Sequence, residues 1–170
     1  DVLTQLAEQA ESFRALVDPD YSGFLKPGNM PDRINAFCAH TGQPAPVSKG
    51  ALVRCALESL ALKYRWVVEK LEALTGSRME AIHIVGGGTK NRLLNQFTAD
   101  ATNRPVITGP IEATAIGNLI TQAIALGEIT SWEQARQVVC DSFDVETFEP
   151  RNPAPWEEVY PRFLKLLKDS

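Results

Sequence analysis

Apolar residues recur at three- and four-residue steps through residues 2–17, at Leu3, Leu6, Ala10, Phe13, Leu16 and Val17, and predict an amphipathic helix. The run Asp18-Pro19-Asp20-Tyr21-Ser22-Gly23 ends it. Two prolines and a glycine in Phe24-Leu25-Lys26-Pro27-Gly28-Asn29-Met30-Pro31 predict an extended loop. A short helix follows from about Pro31 to His40, stopped by Thr41-Gly42-Gln43-Pro44-Ala45-Pro46. Ser48 is the expected N-cap of the longest element and Gly76 its stop. Between them Val53, Leu57, Leu60, Tyr64, Val67, Leu71 and Leu74 fall at alternating four- and three-residue steps. That spacing fits a coiled-coil seam, but Leu52, Leu62, Trp66 and Val68 widen the apolar face and favour a long core helix.

Past Gly76 the period changes. Ala81-Ile82-His83-Ile84-Val85 is a β-branched run of strand type. It runs into Gly86-Gly87-Gly88 and a helical pattern from Lys90 to Thr102, with Leu93, Leu94, Phe97 and Ala101 on one side. Pro105-Val106-Ile107-Thr108 predicts a second strand, Gly109-Pro110 a turn, and Glu112 to Leu126 a helix closed by Gly127. This strand–helix–strand–helix order predicts parallel pairing with a right-handed crossover. Trp132, Ala135, Val138 and Val139 mark another short helix and Phe148 a last extended piece. Pro155 to Lys168 reads as a helix that Pro161 should kink or delay. Two parallel strands are too few for a buried sheet, so partner strands outside the chain are expected.

With 170 residues, 44% hydrophobic and 22% charged, the chain falls outside the collagen-like and disordered classes. Its net charge of −4 offers no footprint for nucleic acid or an anionic membrane. Cys38, Cys55 and Cys140 are odd in number and widely spaced, which argues against a disulfide framework or zinc knuckle. Buried, reduced thiols in a cytoplasmic protein are the expectation. No run reaches the roughly 18 apolar residues of a membrane span. Asp1-Val2-Leu3 lacks the basic start of a signal peptide. A chain that opens on Asp and enters a helical pattern at once is expected to be a piece of a longer protein.

The candidate chemistry lies in Ile84-Val85-Gly86-Gly87-Gly88-Thr89-Lys90-Asn91. Consecutive glycines between a strand and a helix let the backbone approach a ligand with no Cβ in the way. The first helical turn then points free N–H groups at an anion, and the carboxyl end of a parallel strand is where nucleotides bind in α/β sheets. The P-loop pattern fails here, since Lys90 is followed by Asn91 rather than Ser or Thr and the leading glycine is missing. The dinucleotide fingerprint fits Gly86 and Gly88 but finds Asn91 at its third glycine, and Glu112 is the only nearby acid about 20 residues on. A turn that merely eases helix–strand packing is the remaining alternative.

Other residues read as structural. Gly117 inside a helix points to a close helix approach, and His83 to a hydrogen-bonded structural histidine. Asp100 and Asp141 read as surface charges, and Trp66, Trp132 and Trp156 as core or seam residues.

The blocks from Gly86 to Phe97, Ala99-Asp100-Ala101, Arg104-Pro105-Val106 and Gly109 to Asn118 together resemble the C-terminal part of the FGGY carbohydrate kinases. Phe24-Leu25-x-Pro27-x-x-Met30-Pro31-x-x-Ile34, Pro44-x-Pro46 and the segment from Leu57 to Tyr64 resemble the rhamnulokinase branch in particular. The likeness runs over roughly residues 20–150. It implies an α/β fold: part of an actin-like (ribonuclease H-like) ATPase lobe, helix-rich with a short parallel sheet. A helical segment at 1–76, an adenosine-binding α/β segment at 77–150 and a C-terminal helix at 151–170 are expected. Carried over by position, Gly87 contacts ATP near its ribose and α-phosphate, Asn91 lies beside the adenine, and Gly86 and Gly88 shape the turn, with Lys90 solvated. The resemblance implies transfer of the γ-phosphate of ATP to the 1-hydroxyl of L-rhamnulose with Mg2+. The catalytic Asp, phosphate loops, Mg2+ ligands and sugar pocket are expected to precede this chain. A stand-alone nucleotide-binding regulatory module is the alternative.

Overall fold

The structure is a computed structural model that describes residues 2–26 and 28–169; Pro27 of the expected loop, with Asp1 and Ser170, lies outside the described residues. Its helices are α1 (Val2–Glu8), α2 (Met30–His40), α3 (Lys49–Thr75), α4 (Arg92–Thr102), α5 (Ala113–Ala125), α6 (Trp132–Ser142) and α7 (Ala154–Asp169). Its strands are β1 (Ile82–Ile84), β2 (Val106–Thr108) and β3 (Glu146–Phe148).

Helix α3 starts and stops where its caps dictate. Ser48 Oγ accepts the Ala51 N–H at 3.1 Å, and Gly76 closes the helix at φ +67°. Its buried face differs from the expected stripe, because α4 and α1 pack along a neighbouring side. Cys55, Leu57, Glu58, Ser59, Ala61, Leu62 and Val68 are buried, whereas Tyr64, Val67, Leu71 and Leu74 are exposed. Gly50 permits the close passage of α1, since a Cβ there would collide with the Leu6 carbonyl.

The first helix is shorter than its periodicity predicts. It ends at Glu8, and the chain runs on irregularly, with Phe13 at φ +53°. Distant side chains take the backbone groups a longer helix would have used. Phe13 N–H donates to Glu58 Oε2 at 2.8 Å, Leu16 N–H to Gln43 Oε1 at 2.9 Å and Val17 N–H to Ser59 Oγ at 2.9 Å. Arg54 donates to the Ala7 and Glu8 carbonyls. Buried backbone groups must be satisfied, and here tertiary partners outcompete the helix ladder.

β1 and β2 pair in parallel, with Ile82 opposite Val106 and Ile84 opposite Thr108. β3 lies antiparallel to β2, with Phe148 opposite Val106, so the sheet is mixed where a short parallel one was expected. The order β1-β2-β3 leaves β1 at an edge. The main core gathers residues of α1, α2, α3, α4 and α7 around Leu16, Leu62 and Phe163. Trp156 is buried in it, its ring 4.8 Å from that of Phe13 and 5.2 Å from that of Phe97. Pro161 lies inside α7 without delaying its start.

Several single-residue expectations are corrected. Asp100 is buried, 8% exposed, because the chain entering α7 folds over it: its Oδ1 accepts the Arg151 N–H at 2.6 Å and the Asn152 N–H at 3.3 Å. Asp141 is exposed as expected. His83 lies exposed on β1 with no side-chain hydrogen bond among the described residues, beside a cavity of about 430 Å³ that Val139 and Cys140 of α6 also line, so α6 does not pack down onto it. Trp132, at the start of α6, is 60% exposed, and Trp66 is half-buried. Cys38 and Cys55 are buried free thiols, but Cys140 is exposed. A hydrogen bond to Cys38, with burial added, pushes the Cys55 thiol far above its ordinary range.

Candidate functional site

β1 delivers the chain through Val85 into a tight 3-10 turn over Gly86–Lys90, and Asn91 then caps α4. The turn is stitched to the end of the neighbouring strand: Gly86 N–H donates to the Pro110 carbonyl at 3.0 Å and Gly109 N–H to the Ile84 carbonyl at 2.8 Å. The carboxyl ends of the two parallel strands therefore open side by side, the position at which α/β sheets form ligand crevices.

The three glycines sit in different surroundings. Gly86 sits at φ +76°, a conformation that strains any residue with a Cβ. A Cβ on Gly88 would lie 3.4 Å from Ile84 Cγ2, an ordinary contact that the turn could accommodate. Gly87 is exposed and a Cβ there would meet nothing within 4 Å. No internal contact requires a glycine at Gly87.

Asn91 Oδ1 accepts the Leu94 N–H at 3.1 Å, satisfying one of the donors the helix start leaves bare. Thr89 and Asn95 were not singled out from the sequence, yet both hold the turn. Thr89 Oγ1 donates to the Gly86 carbonyl at 2.8 Å, and Asn95 Nδ2 donates to the Thr89 carbonyl at 3.0 Å. No sequence signal marks either, since their bonds depend on the turn being formed.

A pocket of about 420 Å³ adjoins the turn, lined among others by Thr89, Lys90, Arg92, Thr108 and Glu146. Lys90 is exposed. Arg92 pairs with Glu146, and its guanidinium lies 5.3 Å from the centre of the Phe148 ring. A second, apolar groove of about 480 Å³ runs between α5 and α6, past Val85, Ile120, Trp132 and Val139. Helix α5 has no buried residue, and a Cβ on Gly117 would meet nothing within 4 Å, so the close approach expected at Gly117 is not made among the described residues. Among the described residues no three His, Cys, Asp or Glu side chains gather where they could hold a metal ion. Among them, too, no helix is long and apolar enough to cross a membrane.

Residues 1–126 match the model of the C-terminal domain of the FGGY family of carbohydrate kinases. The chain belongs to that family. This FGGY kinase chain is 46% identical over 162 residues to the rhamnulokinase of Bacteroides thetaiotaomicron, covering 95% of the chain and 33% of the relative. It is 44% identical over 170 residues to the rhamnulokinase of Enterococcus faecalis, covering 99% of the chain and 34% of the relative. It thus spans about a third of the length of these relatives. In fold it is similar to a Plasmodium falciparum glycerol kinase solved with ADP, at a TM-score of 0.71 and 18% identity, covering 99% of the chain and 33% of that structure. It also resembles a Rhodospirillum rubrum xylulose kinase, at a TM-score of 0.65 and 23% identity over 99% of the chain and 33% of that structure. The chain is helix-rich with a small mixed sheet, and it shares its fold with the C-terminal third of these sugar kinases.

Proposed function

We propose that this chain is the adenosine-binding, C-terminal portion of an ATP-dependent kinase that phosphorylates L-rhamnulose at its 1-hydroxyl. The observation that carries the reading is Gly87, open to solvent at the carboxyl ends of β1 and β2 in a chain 46% identical to a rhamnulokinase. With no Cβ to hold it off, the ribose and α-phosphate of ATP approach the Gly87 backbone. Gly86 and Gly88 set the turn's shape. Asn91 spends its Oδ1 on capping α4, which leaves its Nδ2 donors for the ring nitrogens of the adenine. Residues 77–150 carry this contact, and the segments 1–76 and 151–170 brace it.

Phosphoryl transfer to a sugar hydroxyl also needs a base for its proton, donors around the β- and γ-phosphates, and Mg2+ to neutralise developing charge. We assign the base, phosphate loops, Mg2+ ligands and sugar pocket to the part of the kinase outside this chain. The unburied apolar helix α5, the exposed stripe Tyr64, Val67, Leu71 and Leu74, and the free edge of β1 support this, since the rest of such a kinase supplies their cover. The reading places the protein in the cytoplasm, where ATP and the free sugar meet.

A coupled assay of ADP formation tests it. The full-length protein is expected to turn over L-rhamnulose with a higher kcat/KM than xylulose, gluconate or glycerol, and residues 1–170 alone to show no turnover. Turnover by the isolated chain, or no ADP formed with L-rhamnulose by the full-length protein, overturns the reading.

A further inference from the structure

Asn95 is completely buried on α4, between the core residues Leu93 and Phe97. Its Nδ2 donates to the Thr89 carbonyl at 3.0 Å, while its Oδ1 is buried and accepts no hydrogen bond. A bare buried acceptor costs about 1–3 kcal/mol, and a leucine, branched at the same carbon, would avoid that cost. What a leucine would lack is the donor. The side-chain bond Asn95 makes goes to Thr89, whose hydroxyl in turn donates to the Gly86 carbonyl at 2.8 Å. A line of two hydrogen bonds thus runs from the helix interior to the first residue of the glycine turn.

We infer that Asn95 is a positioning residue for the nucleotide: it fixes the Thr89 carbonyl, and through Thr89 the Gly86–Lys90 turn, in the shape that leaves Gly87 open. Asn95 is enclosed by protein and acts only through Thr89. The inference rests on the proposal that ATP binds at this turn. Its content beyond that proposal is that an enclosed amide, remote from solvent, sets the affinity for ATP and leaves the sugar untouched. Thr89 is the intermediate, so loss of its hydroxyl should have the same sign of effect.

The test uses the full-length kinase, with KM for ATP, KM for L-rhamnulose, kcat and Tm measured for Asn95→Leu, Thr89→Val, Thr89→Ser and Gly87→Val. Asn95→Leu is expected to raise KM for ATP about fivefold, the equivalent of one neutral hydrogen bond, with the sugar KM, kcat and Tm near wild type. Thr89→Val raises KM for ATP in the same direction, and Thr89→Ser, which keeps the hydroxyl, does not. A fall in Tm with both KM values unchanged makes Asn95 a purely structural residue and overturns the inference. If Asn95→Leu does not fold, Thr89→Val decides, and an unchanged KM for ATP in it overturns the inference. Should Gly87→Val raise KM for ATP while Asn95→Leu and Thr89→Val do not, the inference falls and the site stands. Should Gly87→Val also leave KM for ATP unchanged, the site reading itself falls.

Discussion

Glu58 on α3 accepts the backbone N–H of Phe13 at 2.8 Å, joining positions 45 residues apart. The carboxylate is 1% exposed, and its other oxygen accepts from Arg54 Nε at 2.7 Å. Arg54 spreads the same tie to Ser12 Oγ and to the carbonyls of Ala7 and Glu8. Glu58→Ala should therefore cost about 3–5 kcal/mol, because it removes the counter-charge of the largely buried Arg54 guanidinium and the acceptor of the Phe13 N–H together. Urea unfolding of wild type and variant measures this.

Burial pushes the Glu58 carboxyl above its ordinary value, against the opposing pull of Arg54 and the Phe13 N–H. A raised folded-state value means the folded chain holds the proton more tightly than the unfolded one. The stabilising contribution is therefore complete below the ordinary glutamate value of about 4.3 and is lost as pH rises through the raised value. Glu58→Gln removes this titration while keeping an acceptor for Phe13. The Tm of wild type minus that of Glu58→Gln is expected to fall as pH is raised from about 4 to about 8.

Asp100 ties α4 to the chain entering α7 through the N–H groups of Arg151 and Asn152. Asp100→Ala removes these two bonds, and with them the one Asp100 accepts from Gln96 Nε2, and should cost about 2–3 kcal/mol. Hydrogen exchange of residues 149–153 should speed up in this variant, with that of α3 little changed.

Two glycines make a matched pair. Gly50→Ala drives a Cβ into the Leu6 carbonyl and should destabilise the fold by about 1–3 kcal/mol, since backbone rather than a mobile side chain must give way. Gly87→Ala adds a Cβ in open space and should leave Tm unchanged. Thermal melts of the two variants check both statements.

What the sequence revealed follows from how local each interaction is. Ser48, Gly76 and Gly127 mark helix ends because a cap involves only a few neighbouring residues, and all three end helices as read. The glycine run was legible for the same reason. The first helix was overextended because its rivals for backbone hydrogen bonds, Glu58, Gln43 and Ser59, lie far along the chain. Along α3 the periodicity named apolar positions correctly but not which of them this chain covers, since α1 and α4 pack elsewhere on the helix and leave Leu71 and Leu74 exposed. Asp100 looked like any helix-surface acid, because the loop that buries it arrives some 50 residues later. Asn95 was invisible for a subtler reason: its purpose lies in a bond to a turn whose shape the residue itself helps to fix.

We propose that ATP docks on the turn from Gly86 to Asn91. Hydrogen–deuterium exchange of the full-length protein with and without saturating ATP tests it most directly. Slowed exchange across residues 86–95 on adding ATP is the predicted result. ATP that binds measurably yet leaves exchange in that segment unchanged would mean that the nucleotide docks elsewhere.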